Sequence, residues 1–248
     1  MIKGIYSSGA GMQPRMTRLE VLANNIANAN TTGFKKDNLF IQTMKNAALS
    51  QIQGNGPLAG LDSKEYTDFS EGSLNQTKAP FDLALQGRGF FVVETPQGNR
   101  YTRNGHFSLS TDGTLVNGDG YAVMGTSGPI RIPQPERTPD STILIDENGN
   151  VSNGTTLIGK VRVADFENLN DLKKDGASLF QSDAPEKPAD ADSQQPLIRQ
   201  GYLEESNVDS VESMVELVEL SKSFETDQRM VQVQDGSLEK AMDVGRLT

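Results

Sequence analysis

The sequence predicts a mixed α and β chain. A central all-β domain, an antiparallel meander closing into a sandwich or open barrel, is flanked by long N- and C-terminal helices that pair in a coiled-coil-like manner. Three observations predict this. Apolar residues recur at alternating spacings of three and four at both ends, the period of a coiled-coil seam. The two ends carry opposite charge. The middle is broken by closely spaced turn signals ("PQGN", "RNG", "TDG", "NGDG", "ENGN") between strand-like runs.

The first element spans residues 1–32. Its seam runs through Ile2, Ile5, Gly9, Met12, Met16, Leu19, Ala23, Ile26 and Asn30, and Gly33 suits the C′ position that ends a helix. Pro14 lies inside this run and is expected to kink it or to begin its regular part. Residues 33–77 form a polar connector or a small extended subdomain, with scattered apolar residues and the turn "GNGP". Residues 78–200 make the β domain, where "FDLALQGRGFFVVET" and "TLIGKVRVADF" read as strands. Pro129, Pro133, Pro135 and Pro139 mark an extended loop, and "SDAPEKPADADSQQP" at 182–196 reads as an acidic surface loop. In residues 201–248, Asp209 is the expected N-cap of a second helix, with Glu212 three residues on. The seam there is Met214, Leu217, Ser221, Phe224, Gln228, Val231, Asp235, Leu238 and Met242. At 1.5 Å per residue the two helices are expected to run roughly 40 and 50 Å. Residues 1–36 hold Lys3, Arg15, Arg18, Lys35 and Lys36 against the single acid Glu20, whereas residues 204–248 hold eleven acids against four bases. Opposite signs predict that 1–32 and 208–248 share one domain, packed on each other or on copies of each other.

The chemistry is bounded by what is absent. There is no cysteine, so disulfides, thiol nucleophiles and thiolate metal sites are excluded. The lone histidine, His106, excludes a multi-histidine zinc site. The string "DENGN" at 146–150 opens like a calcium loop, but Val151 and Leu157 stand where the loop needs glycine and glutamate, so a β-turn is expected. "GRG" at 87–89 lacks the third glycine and following helix of a dinucleotide fingerprint and is expected to let two strands meet tightly. No carboxylate pair is singled out by spacing. The net charge of −10 argues against nucleic-acid binding. No membrane insertion, metal, cofactor or small-molecule substrate is expected, and no cleavable signal is visible at the N-terminus.

"LEVLANNIANANTTGFK" (19–35) carries four amides, Asn24, Asn25, Asn28 and Asn30, where a helix ends. It closely resembles the N-terminal signature of flagellar basal-body rod and hook proteins. "FSEGSLNQTKAPFDLALQGRGFFVV" with "YTRNGHFSLSTDGTLVNGDGYAVMG" is similar to that family's β domain, and "QGYLEESNVDSVESMVELVELSKSFETDQRMVQ" to its C-terminal helix. Within the family, "FDLALQ", "YTRNG", "GPIRIP" and "LKKDGASLF" most resemble the proximal-rod type, with the distal-rod type as the alternative. The resemblance implies a structural subunit that polymerises helically into the axial shaft transmitting motor torque. It implies a place in the basal-body rod across the periplasm, and export through the flagellar type III apparatus. The implied partners are copies of itself and other rod proteins, and no enzymatic activity is implied. On this reading Leu19, Leu22, Asn24, Asn25, Ile26, Asn28, Thr32, Gly33 and Phe34 serve subunit packing from the N-terminal side. Glu204, Ser206, Asn207, Met214, Leu217 and Phe224 serve it from the C-terminal side. The amides then act as register devices between packed helices. The competing readings are a secreted β-domain binding module and an enzyme that remodels peptidoglycan.

Overall fold

The computed structural model describes residues 2–43, 61–133, 143–154, 156–176, 178–182, 184–186 and 196–246. The expected turn "GNGP", the positions Pro135 and Pro139, and most of the 182–196 loop lie outside the described residues, as do the side chains of Ile2, Ile5, Gly9, Leu238 and Met242. In chain order the elements are helix α1 (Ile2–Ala27) and strands β1 (Asp37–Thr43), β2 (Leu61–Thr67), β3 (Leu74–Gln76), β4 (Leu83–Gln86), β5 (Phe90–Thr95), β6 (Gly98–Thr102), β7 (Ser108–Leu109), β8 (Leu115–Val116), β9 (Ala122–Gly125) and β10 (Gly128–Pro129). Then come β11 (Ile143–Ile145), β12 (Asn150–Asn153), β13 (Thr156–Lys160), β14 (Val163–Ala164), a 3-10 turn at Leu169–Asp171, β15 (Leu172–Lys174), β16 (Leu179–Ser182), β17 (Leu197–Gln200), β18 (Tyr202–Glu204) and helix α2 (Ser210–Arg246).

The chain divides into two compact units. The first holds residues 1–27, 37–68 and 209–248, and the second residues 28–36 and 69–208. In the first unit β1 and β2 form an antiparallel hairpin, Asp37 facing Thr67 and Phe40 facing Lys64. Asp209 caps α2: its Oδ1 accepts from the backbone N–H of Val211 at 2.9 Å and of Glu212 at 3.0 Å. Asp209→Ala is expected to cost about 1 kcal/mol in urea unfolding, with helical circular dichroism lost first at this end.

The coiled-coil-like pairing of the terminal helices is not found. Part of the predicted seam faces water: Met16 is 54% and Met214 52% exposed, and Ala23, Gln228 and Asp235 are exposed too, while Leu19, Ile26, Leu217 and Phe224 are half-buried. Among the described side chains of α1 the buried ones are Pro14, Leu22 and Asn25, a different stripe, and the helix runs through Pro14. Neither helix contributes to a hydrophobic core cluster. Two ion pairs link them, Arg15 to Asp227 and Arg18 to Glu216, and such exposed pairs contribute little each. The physical reason is content rather than spacing. A seam with Gly9, Ser221, Gln228 and Asp235 at its positions has too little apolar surface to hold two helices in knobs-into-holes register.

The central meander is corrected as well. In the second unit a 9-stranded sheet runs β15-β16-β6-β5-β9-β8-β7, with β10 on β9 and β14 on β5, and β11-β12-β13 form a separate sheet. Two further ladders are non-local, β4 with β17 and β3 with β18. Turn signals report only local hairpins, so these returns from the far end of the unit were invisible to them. All ladders among the described residues are antiparallel.

Strand β5 is the axis of this unit. Its run "FFVV" is apolar at every position because both faces are buried. Phe91 and Val93 enter one core with Leu83, Leu115, Val123 and Ile198. Phe90 and Val92 enter a second with Tyr101, Phe166 and Phe180. Gly89 leaves room for the neighbouring strand, since a Cβ there would stand 2.6 Å from Val163 Cγ1. The "DENGN" loop is a turn: Asp146 Oδ1 accepts from the N–H groups of Asn148 and Asn150 at 3.0 and 2.8 Å. His106 sits in an isolated bridge opposite Asp82, with Nδ1 2.8 Å from the Asp82 carboxylate.

Candidate functional site

Helix α1 ends where its asparagines begin to act on the backbone. Asn25, 4% exposed, reads the first residue of β1 from both sides. Its Nδ2 donates to the Asp37 carbonyl at 2.8 Å, and its Oδ1 accepts from the Asp37 N–H at 2.9 Å. A primary amide has the donor and acceptor needed to imitate one rung of a sheet. Thr67 Oγ1 donates to the Asp37 carboxylate at 2.7 Å, which fixes the other strand of the hairpin.

The next nine residues belong to the second unit. A turn closes with Thr31 N–H donating to Asn28 O at 3.0 Å and Phe34 N–H to Thr31 O at 3.2 Å. Asn28 Oδ1 also accepts from the Thr31 hydroxyl. Gly33 lies at φ +67°, a left-handed conformation that side chains disfavour. Its N–H donates to Glu204 O at 2.8 Å. A Cβ on it would fall 2.3 Å from Asn104 N. Thr32 Oγ1 bonds Asn104 Oδ1 at 2.9 Å. The turn is thus pressed backbone to backbone against the "YTRNG" segment, and only glycine fits at the contact.

Beyond the turn the chain buries a phenyl ring and an ammonium in succession. Phe34 is 1% and Lys35 0% exposed. Lys174 Nζ lies 4.2 Å from the Phe34 ring centroid and donates to Lys35 O at 2.7 Å. Lys35 Nζ donates to Ser70 O at 2.6 Å and pairs with Glu204 Oε1, which also accepts from the Gly72 N–H at 3.1 Å. Glu204 Oε2 accepts from Arg103 Nη1 at 3.2 Å. Arg103 Nη2 donates to Gly87 O at 2.8 Å, its guanidinium lies 5.2 Å from the Phe90 ring centroid, and its Nε has no partner. Two cations therefore share one anion out of contact with water. Burial holds the Lys35 ammonium below the usual lysine range, and the Glu204 carboxylate is the chief influence opposing that. A buried trio of this kind fixes position far more than it stabilises.

Asn207 completes the junction. Its Oδ1 accepts from the Lys36 N–H at 2.8 Å, and its Nδ2 donates to the Ser70 hydroxyl at 3.0 Å. The chain passes between the units after residues 27, 36, 68 and 208. Each unit thus gathers its own crossing ends with one asparagine, Asn25 in the first and Asn207 in the second.

Of the residues singled out from sequence, Asn28, Thr32, Gly33, Phe34, Glu204 and Asn207 meet in this junction. Ser206 lies beside it, its hydroxyl accepting from the Val208 N–H at 3.2 Å. In the first unit Leu22 is buried with Asn25; Leu19, Ile26, Leu217 and Phe224 are half-buried, and Asn24 and Met214 are exposed. Sequence reasoning missed Lys35, Ser70, Gly72, Arg103, Asn104 and Lys174. Lys35 and Arg103 did carry a signal, since each stands within a motif quoted for the family resemblance, "TTGFK" and "YTRNG". Among the described residues no group of three or more His, Asp or Glu is placed to hold a metal ion. No helix among the described residues is long and apolar enough to cross a membrane.

Comparison with known proteins agrees with this geometry. Residues 5–35 match the family model described as flagella basal body rod protein, residues 84–153 the flagellar hook protein FlgE/F/G D1 domain, and residues 199–244 the flagellar basal body rod FlgEFG protein C-terminal. The chain is 33% identical over 228 residues to the flagellar basal-body rod protein FlgF of Caulobacter vibrioides, covering 89% of this chain and 90% of the relative. It is 30% identical over 268 residues to FlgG of Bacillus subtilis, covering 99% and 100%. It is also 30% identical over 277 residues to the flagellar hook-basal body complex protein FlhO of the same organism, covering 100% of each. Three matches in chain order, with a junction built where the first meets the third, make the assignment: the chain belongs to the flagellar basal-body rod protein family.

Proposed function

We propose that the protein is a structural subunit of the flagellar basal-body rod, placed in its proximal part, with no catalytic role. It polymerises helically with copies of itself and with other rod proteins into the shaft that carries motor torque. It reaches that place through the flagellar type III export apparatus. The observation that carries this reading is the outer face of α2. Val211 is 72%, Met214 52%, Val215 56% and Val218 50% exposed, a run of large apolar side chains at helical spacing that no core of this chain covers. Met214, with the half-buried Leu19, Ile26, Leu217 and Phe224 and the exposed Asn24, supplies the packing between subunits. Leu22, Asn25, Asn28, Thr32, Gly33, Phe34, Glu204, Ser206 and Asn207 serve it indirectly, by holding their own chain in shape.

Leu217→Asp and Asn25→Leu are each expected to abolish swimming in a strain carrying only the variant, while the second unit keeps its unfolding midpoint. For Asn25→Leu the loss is about 2 kcal/mol in the first unit, because the half-buried Asp37 backbone loses both of its bonds to the Asn25 amide. Normal swimming by the double variant would overturn the reading. A distal position is the second reading, favoured by the FlgG relative that aligns over the whole chain. The position of this chain in a basal-body density map separates the two.

A further inference from the structure

Residues 197–204 return from the far end of the second unit to pair with strands more than a hundred positions earlier. Ile198 faces Leu85 and enters the main core with Leu83 and Phe91. Gly201 N–H donates to Asp82 O at 2.7 Å, and Gly201 O accepts from the N–H groups of Thr77 and Lys78 at 2.9 and 3.1 Å. Glu204, 1% exposed, is the acid paired with both Lys35 and Arg103. Among the described residues the other groups bonded to or stacked on those cations are Ser70 O, Gly87 O and the Phe90 ring, and the exposed Glu71 carboxylate acts on Lys35 only through space.

We propose that residues 197–204 are a closing strap: the second unit does not fold until they arrive, because until then Lys35 and Arg103 have no counterion in the interior they must enter. The reasoning is electrostatic. Removing a single ammonium or guanidinium from water without an anion is among the costliest steps a core can take. Here two such groups flank the sheet that would otherwise nucleate from β5, β6 and β9. Arg103 directly follows β6 and lies over the ring of Phe90 in β5, so the hairpin cannot bury Phe90 without drawing that guanidinium in. The fold supplies one acid for both, and it stands at position 204 of 248. A chain becoming available from its N-terminus onward therefore holds an open second unit until residue 204 is present. The device works in any chain of this sequence and does not depend on the assembly proposed above.

The test is refolding of the full-length chain followed by pulsed hydrogen exchange. Leu115 and Ile130 report the sheet, since their N–H groups donate to Ile130 O and Val123 O. Ile198 and Gly201 report the strap, donating to Glu147 O and Asp82 O. Protection is expected to appear at all four together, at one rate, and Glu204→Gln is expected to slow all four by about tenfold or more. Should Glu204→Gln fail to fold, the triple variant Lys35→Met, Arg103→Met, Glu204→Gln removes every charge of the trio. In it Leu115 and Ile130 are expected to gain protection before Ile198 and Gly201. Protection of the sheet ahead of the strap in the unaltered chain would overturn the proposal, and so would joint protection persisting in the triple variant.

Discussion

Glu204→Ala is expected to lower the unfolding free energy of the second unit by about 3–5 kcal/mol, read from urea unfolding. The substitution leaves Lys35 and Arg103 facing each other with no anion between them. It also frees the Gly72 N–H, which loses its bond to Oε1. Lys35→Met is the informative comparison. It removes the surplus cation and leaves Arg103 paired with Glu204 at 3.2 Å, so its loss is expected to be clearly smaller. A Glu204→Ala loss no greater than that of Lys35→Met would show that the acid is not holding the junction. Swimming is expected to fail in the glutamate variant, because residues 28–36 and 204–208 lose the group that fixes them together.

Gly33→Ala carries the second large effect, and two costs combine in it. The left-handed backbone at φ +67° costs a side-chain-bearing residue about 1–2 kcal/mol on its own. A Cβ would also stand 2.3 Å from Asn104 N and 2.5 Å from Arg103 C, both backbone atoms that cannot rotate away. Gly154 separates the two costs. Its φ is +60°, and nothing lies within 4 Å of a Cβ there. Gly154→Ala is therefore expected to show the conformational cost alone, and Gly33→Ala a loss at least about 2 kcal/mol larger, with the Gly33–Glu204 hydrogen bond broken. Equal losses at the two positions would mean that the turn does not press on the "YTRNG" segment in solution.

Much of the β unit was legible because its signals are local. "FDLALQGRGFFVVET" read as strand, and "PQGN" and "ENGN" marked turns that the structure contains. The closing ladders of β3, β4, β17 and β18 left no such trace, because pairing across a hundred residues depends on the whole core and not on any neighbour in sequence. The coiled-coil seam failed for the opposite reason. Its spacing was regular, but Gly9, Ser221, Gln228 and Asp235 interrupt its apolar residues, and Met16 and Met214 remain in water. The site was half legible. Asn25, Gly33, Phe34 and Glu204 were named for subunit packing on the family resemblance. Lys35 was counted as one more charge on a basic end, since charge can be counted from sequence and burial cannot. The amides of "ANNIANAN" were read as devices between helices. Asn25 instead spends both its hydrogen-bonding groups on the backbone of its own chain.

The two asparagine clamps bear on how the molecule carries force. A pull on the backbone at Val208 reaches Asn207 one residue later. There it divides, through Oδ1 to Lys36 and through Nδ2 to Ser70. Asn25 does the same on its side, passing tension into both backbone groups of Asp37 and, through its carboxylate, to Thr67. Several covalent strands thus share a load that would otherwise fall on one, and each clamp is loaded across short hydrogen bonds rather than along a flexible linker. Within its own unit each clamp is stiff for its size, which suits the rod subunit proposed above.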